Sequence, residues 1–273
     1  MKPARPSLRA FVPVVVLVAA GLLAAAAHAG PLNDTGIDVC RDHATGADTP
    51  VSASTTCTPA QGTQDARYGR DAAAVKGQLP RVGASAGTVN GNPNGFDYTK
   101  ISNSGAALPA SAALGSGPND WACTYDNNTG LMWEVKTAGT PANELRHMNH
   151  TYTWYFSANT YGGAGTASGG SCKDSGRCNT EKFAQDVNAA GLCGHADWRV
   201  PTQPELVNLA DRGRSNPSID PAFFPNTPAW YFWSGSPLAG DPGSAWGVHF
   251  DNGGAYWNYR SFAYLLRLVR AGQ

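Results

Sequence analysis

The chain has 273 residues, 42% of them hydrophobic and 15% charged, with twenty basic and twenty acidic side chains and a formal net charge of zero. That balance excludes a broad electrostatic footprint for nucleic acid, which needs a clear basic excess. It leaves a globular protein as the class to examine.

The first 29 residues read as a secretory signal peptide. Lys2, Arg5 and Arg9 precede an apolar run from Phe11 to Ala26, and Ala27-His28-Ala29 supplies the small residues around a cleavage site. Removing this leader leaves seventeen basic against twenty acidic residues, near minus three. No later apolar run is long enough to span a bilayer, so no membrane span is expected after signal removal.

Residues 30–118 are rich in Ala, Gly, Thr, Ser, Asn and Pro and show little periodicity. Such a stretch buries little core alone, so an irregular N-terminal extension is predicted there. The texture changes near Trp121, and residues 119–273 read as the folded domain. "DNNTGLMWEVKT" (126–137) is a turn followed by a strand, with Leu131, Trp133 and Val135 on one side and Met132, Glu134 and Lys136 on the other.

"CNTEKFAQDVNAAGLC" (178–193) predicts a helix capped by Asn179 or Thr180, with Phe183 and Val187 on its inner face and Gly191 at its stop. "HADWRVPTQPEL" (195–206) packs a histidine, two acids, an arginine and a tryptophan into twelve positions, which invites a catalytic reading. A structural one accounts for more of it. Thr202-Gln203-Pro204-Glu205 is a capping box that starts a second helix, with proline tolerated in the first turn. Leu206, Leu209 and Ala210 then form its inner face and Gly213 its end. Trp198 is assigned to the core, and Arg199 to hydrogen bonds with neighbouring carbonyls. His195 and Asp197 are two side chains where a metal site needs more.

Beyond the helices the chain is aromatic and strand-like. "AWYFWSGSP" (229–237) predicts a strand, "AWGVHFDNGGAYWNY" (245–259) a hairpin turning at Asn252-Gly253, and "YLLRLVR" (264–270) a last strand. In the hairpin Trp246 and Phe250 alternate in register with Val248 and are assigned to the core. Strands at both ends enclosing two helices predict an α+β fold with a small, mostly antiparallel sheet.

All six cysteines lie beyond the leader. An even count in an exported chain reads as disulfides, and the Cys-x2-Cys spacing of zinc sites is absent. Cys178 and Cys193 flank a helix whose rise of ~1.5 Å per residue holds its ends too far apart for a bond. Cys172–Cys178 would close a small loop, Cys123–Cys193 would tie a strand to the segment after the helix, and Cys40–Cys57 would remain within the extension.

The segments "TGLMWEVKT", "HTYTWY", "CNTEKFAQDVNAAGLCGHADWRVPTQPEL", "YFWSGSP", "AWGVHFDNG" and "LRLVR", in that order, resemble the Lcl C-terminal domain family, also called DUF1566, over Trp121 to Arg270. "NDTGIDVC", "GTQDARYGRDAA" and "GFDYTKISNSGAALP" look like the extension that precedes this domain in many exported members. The resemblance implies a loop-rich, disulfide-braced C-type-lectin-like domain on a bacterial exported protein, periplasmic, secreted or at the cell surface. Collagen-like members are adhesins that bind glycosaminoglycans. The collagen tract is absent here, and nothing in the sequence sets an oligomeric state.

A non-catalytic binding module for a glycan or a surface-protein ligand is the function expected, with the irregular region and the sheet face beside it as the ligand surface. Aromatic faces stack on sugars while amides, carboxylates and arginine orient them. The residues assigned to binding are Trp154 and Tyr155 in the loop 149–156, with Tyr152 beside them, and His249, Asp251, Asn252, Tyr256, Trp257, Asn258, Tyr259 and Arg260 at the hairpin. Trp133, Trp198, Arg199, Thr202 and Glu205 are assigned to structure.

No cofactor and no metal is expected, since the Glu-Pro-Asn or Gln-Pro-Asp and Trp-Asn-Asp tripeptides of calcium-dependent lectins are missing from a suitable place. An enzyme of the formylglycine-generating group would need a late cysteine pair, and no cysteine follows Cys193. Hydrolase motifs are also absent. The alternative is an assembly domain of a surface appendage or envelope complex, for which exposed aromatics serve equally well.

Overall fold

The computed structural model describes residues 96–271 apart from 141–142 and 159–161, together with the backbone of four short strands upstream. The leader, Cys57 and most of the extension lie outside the described residues, as therefore does the expected Cys40–Cys57 bond. The upstream strands form two small antiparallel pairs, β1 (Val39–Arg41) with β2 (Asp48–Pro50) and β3 (Thr88–Val89) with β4 (Asn92–Pro93).

The domain is mixed, with two α-helices among the described residues and antiparallel pairing between its strands. β5 (Tyr98–Ser102), β6 (Ala107–Leu108), β7 (Trp121–Asp126), β8 (Leu131–Glu134) and β14 (Val269–Ala271) form a five-stranded sheet in the order β14-β8-β7-β5-β6. A second sheet orders β10 (Tyr231–Pro237), β11 (Ser244–His249) and β12 (Gly254–Tyr259). A ribbon of β9 (Tyr152–Thr153) and β13 (Ala263–Tyr264) lies between them in chain order.

Two differences from the sequence reading have clear causes. The end of the stretch expected to be irregular is an integral strand: β5 pairs with β7 from Tyr98↔Asp126 to Ser102↔Trp121, and Phe96 and Tyr98 are core. Four of its five residues are buried, so it gives no alternation to read. The run expected as one last strand is split in two. Tyr264 pairs with Tyr152, Leu265 bridges to Phe232, and only Val269 onward pairs with β8.

The first helix, α1 (Thr180–Ala189), starts at Asn179, whose side chain accepts the Lys182 amide, and it buries Phe183 and Val187. Gly191 follows in the left-handed region at φ 64°, where a side chain would be strained. The second, α2 (Gln203–Asn208), is shorter than expected and ends before Leu209. Cys123–Cys193 joins β7 to the 3₁₀ turn Leu192–Gly194, and Cys172–Cys178 closes the loop before α1. No free cysteine occurs among the described residues, and no helix there is long and apolar enough to cross a membrane.

β8 is buried on both faces. Met132 packs with Trp154, Trp198, Trp233 and the Cys123–Cys193 bridge. Trp133 packs with Tyr98, Phe224, Phe232 and Val269. The expected alternation is correct, but each face meets a core, so Glu134 and Lys136 are buried too. Burying charges is costly unless they are paired and hydrogen-bonded. Lys136 Nζ lies 2.7 Å from Glu134 Oε1, the Leu268 amide donates to Glu134 Oε2 at 2.9 Å, and the Arg267 guanidinium donates to the Glu134 carbonyl. Arg146 donates to the Ala122 and Val135 carbonyls beside them. Burial lowers the Arg267 guanidinium to about 10 and the Lys136 ammonium to about 8, against the pull of Glu134 in both cases.

A pH dependence follows. Unfolded Lys136 titrates near 10.5 and folded Lys136 near 8. In that window the unfolded chain binds the extra proton, so stability rises with pH from about 8 to about 10. Above it the buried Tyr98 and Tyr152 hydroxyls, both raised mainly by burial, oppose the trend. Denaturant melts of the wild type should show the rise and Lys136→Met should flatten it. The same slope in both would assign the effect to another group.

Candidate functional site

The polar corner at 195–206 is built as structure. Thr202 Oγ1 accepts the Glu205 amide, and Glu205 Oε2 accepts the Thr202 amide at 2.8 Å, closing the capping box. Arg199 differs from expectation in its main partner. Its guanidinium grips the Glu205 carboxylate with two bonds of 2.8 and 2.6 Å and only grazes the Val200 carbonyl at 3.4 Å. A neighbouring carboxylate outcompetes a neutral carbonyl for a guanidinium.

Burial pushes the Glu205 carboxyl up, but Arg199 and the Thr202 amide together hold it below its ordinary value. Asp197 is lowered chiefly by its hydrogen bond with Arg270, at 2.7 Å. Desolvation and then Arg270 depress His195. Trp198 is core and donates its indole N–H to the Leu192 carbonyl. Among the described residues no three His, Cys, Asp or Glu side chains gather as a metal site. Thr202→Ala should therefore cost about 1 kcal/mol of stability, the usual worth of such a cap. Urea titration checks this, and an unchanged midpoint would contradict it.

The exposed chemistry lies on the three-stranded sheet. In an antiparallel pair, residues directly opposite each other share a face. The registers Phe232↔Val248↔Ala255 and Trp246↔Trp257 define one face, and Tyr231↔His249↔Gly254 and Gly247↔Tyr256 the other. Each face is half covered. On the first, Phe232 and Val248 are core and α2 packs nearby, leaving Trp246 half-buried and Trp257 exposed. On the second, Trp233 and Ala245 are buried beside Tyr152 and Trp154, leaving Tyr231, His249 and Tyr256 at the open end.

The rings form a chain. Tyr231 meets His249 edge-on at 4.2 Å, Tyr256 at 6.0 Å and Trp230 at 5.7 Å, and stacks on Tyr264 at 4.9 Å. Tyr264 leads to Phe262 at 6.0 Å, Phe262 to Tyr259 at 5.8 Å, and Tyr259 to Trp257 at 6.3 Å. Trp230, Trp257 and Tyr259 are half or more exposed, at 52, 50 and 55%. Polar groups edge the rings. Asn258 Oδ1 accepts the Tyr264 hydroxyl at 3.1 Å, Asn252 donates to the Tyr256 hydroxyl at 3.3 Å, and His249 Nδ1 accepts the amide of exposed Asp251 at 3.2 Å.

Of the residues assigned to binding, His249, Asp251, Asn252, Tyr256, Trp257, Asn258 and Tyr259 lie on or beside this chain of rings, which passes from the face of His249, Tyr256 and Asn258 round through Phe262 to the face of Trp257 and Tyr259. Trp154 and Arg260 do not. Both are 2% exposed, with the Arg260 guanidinium 4.1 Å over the Trp154 ring and bonded to the Ser244 and Gly163 carbonyls. They staple the sheet to the loop, which explains an arginine next to an exposed tyrosine. Tyr152 is buried, and Tyr155 is half-buried where its backbone exchanges hydrogen bonds with Thr180 at the start of α1.

Trp246, expected in the core, stands half-buried opposite Trp257. The alternation with Val248 is correct, but the cover on that face ends before reaching it. Trp230, Tyr231, Phe262 and Tyr264 were missed. In "WYFW" and "SFAY" the alternation with buried Phe232 and Leu265 would have marked Tyr231 and Tyr264, given the pairing partners.

A search of curated proteins and of solved structures found no match to the chain. Residues 122–270, more than half of its length, match a single described domain. That span includes β8 with its buried carboxylate, both helices, the capped corner and the ring surface, and on this match the chain belongs to the Lcl C-terminal domain family.

Proposed function

We propose that this protein is an exported, non-catalytic binding module, adhesin-like, whose C-type-lectin-like domain recognises a glycan or another surface ligand through the rings of the three-stranded sheet. The observation that carries this reading is the continuous run of rings from exposed Trp230 through half-buried Tyr231 and Tyr264 to exposed Phe262, Tyr259 and Trp257, edged by Asn252, Asn258 and Asp251. Large exposed apolar area rimmed by polar groups marks an interaction site. Flat rings present apolar faces to the C–H faces of sugars, and amides and a carboxylate bond their hydroxyls.

The polar residues that first suggested catalysis are occupied with holding the fold. Glu205, Arg199 and Thr202 close a helix cap, and Asp197 pairs with Arg270. That supports recognition without chemistry. Membership of the family supports a bacterial surface-associated setting, and the signal-like leader supports export.

Binding of the processed protein to a glycan array, repeated with chelator, tests this. Chelator-insensitive binding is expected, weakened by ~1–3 kcal/mol in Tyr231→Ala or Trp257→Ala, the scale of one buried aromatic contact. Thr202→Ala should bind as the wild type does. Binding that survives both ring variants, or turnover of a bound sugar, would overturn the reading.

A further inference from the structure

We infer that β12 is a docking edge for a second copy of this chain, forming an antiparallel dimer about Tyr256. Sheet edges offer unpaired N–H and C=O groups, and proteins guard them with cover, brevity, charge, proline or bulges. Most edges of the two larger sheets are guarded. β10 is covered by Leu265, which accepts from the Trp233 amide at 2.9 Å and donates to the Tyr231 carbonyl at 3.1 Å. β14 is covered by Arg199, which exchanges two 2.9 Å bonds with Val269. β6 has two residues.

Among the described residues no strand or loop pairs with the outer edge of β12, and the strand carries none of the other devices. Its six residues, Gly-Ala-Tyr-Trp-Asn-Tyr, include no charge and no proline, and its register with β11 runs without a shift from Ser244↔Tyr259 to His249↔Gly254.

The register of the dimer follows from which groups are available. Backbone groups alternate sides along an antiparallel strand. The His249 carbonyl accepts the Gly253 amide across the turn, and the Arg260 amide donates to the Gly243 carbonyl beyond the far end of β11. Even-numbered residues of β12 therefore face β11, and Ala255, Trp257 and Tyr259 face outward. The Tyr259 carbonyl is taken by the Phe262 amide at 2.9 Å. Ala255 and Trp257 remain.

A two-fold axis through Tyr256, perpendicular to the sheet, pairs Ala255 with the partner's Trp257 and Trp257 with the partner's Ala255. Four new hydrogen bonds form, using all of those groups. Each exposed Trp257 ring then lies beside the small side chain of the partner's Ala255, and the two Tyr256 rings meet on the other face. A large side chain opposes a small one at each flanking pair, and no charge is buried. The six-stranded sheet that results keeps both copies' Tyr231–His249–Tyr256 clusters on one side. The inference does not depend on what those rings bind.

Sedimentation velocity of the processed protein over a concentration series, with amide exchange, tests it. The wild type should dimerise, and the Ala255 and Trp257 amides should be protected at high concentration and exchange freely on dilution. Ala255→Pro removes an outward amide while sparing every bond to β11, and Trp257→Lys places a charge on the edge. Each should raise the dissociation constant at least about tenfold with the circular dichroism unchanged, and the second serves if the first fails to fold. A monomer up to millimolar concentration, or a dimer that persists in folded variants, would overturn the proposal. So would a monomer whose two amides are protected only by an added alternating Thr-Val peptide, since the edge would then serve a foreign strand.

Discussion

A carboxylate buried at the end of β8 constrains much of this domain. Glu134 lies between two apolar clusters, and its charge must be met there by Lys136, by the Leu268 amide and by the nearby guanidinium groups. Lys136 is two residues away, but Leu268 and Arg267 come from the far end of the sequence. Meeting them fixes where the last segment of the chain returns: Leu268 and Arg267 are held at β8, Val269 continues along it as β14, and Leu265 is set against β10. Tyr264, one residue earlier, is thereby stacked on Tyr231. The core charge and the surface rings are connected through one short run of backbone.

The same segment holds the ring surface rigid, which suits the recognition proposed for it. Rings on loops would lose rotamer entropy on binding, whereas rings on paired strands have lost much of it already. Tyr231, His249, Tyr256 and Trp257 stand on strands, and Arg260, folded over Trp154, fastens the end of β12 to the neighbouring loop. The polar corner adds a second fastening. Arg199 bridges to Val269 through its backbone and to Glu205 through its side chain, so the cap of α2 is tied to the edge of the five-stranded sheet.

Local chemistry was legible in the sequence, and long-range pairing was not. The Asn179 cap, the Thr202–Glu205 box, the Gly191 stop, the hairpin and the two disulfides within the described residues all follow from neighbouring residues or from simple reach. β5 escaped notice because a strand buried on both sides carries no alternation. Arg260 was assigned to the ligand surface because it follows the hairpin's aromatic run, where an arginine can orient a ligand. Only the fold shows that the chain turns inward there over Trp154. Tyr231 and Tyr264 needed the partners of their strands, 249 and 152, before they could be assigned a side.

Structural polar residues and the rings proposed to recognise a ligand are separable by one spectroscopic map. Titrating isotope-labelled protein with an oligosaccharide that it retains and following side-chain resonances locates contact directly. The account predicts that the Trp230 and Trp257 indole and the Tyr231, Tyr256 and Tyr264 ring signals shift, while the Arg199 guanidinium and Thr202 methyl signals stay still. Shifts centred on Arg199, Glu205 and His195, with the rings silent, would contradict it.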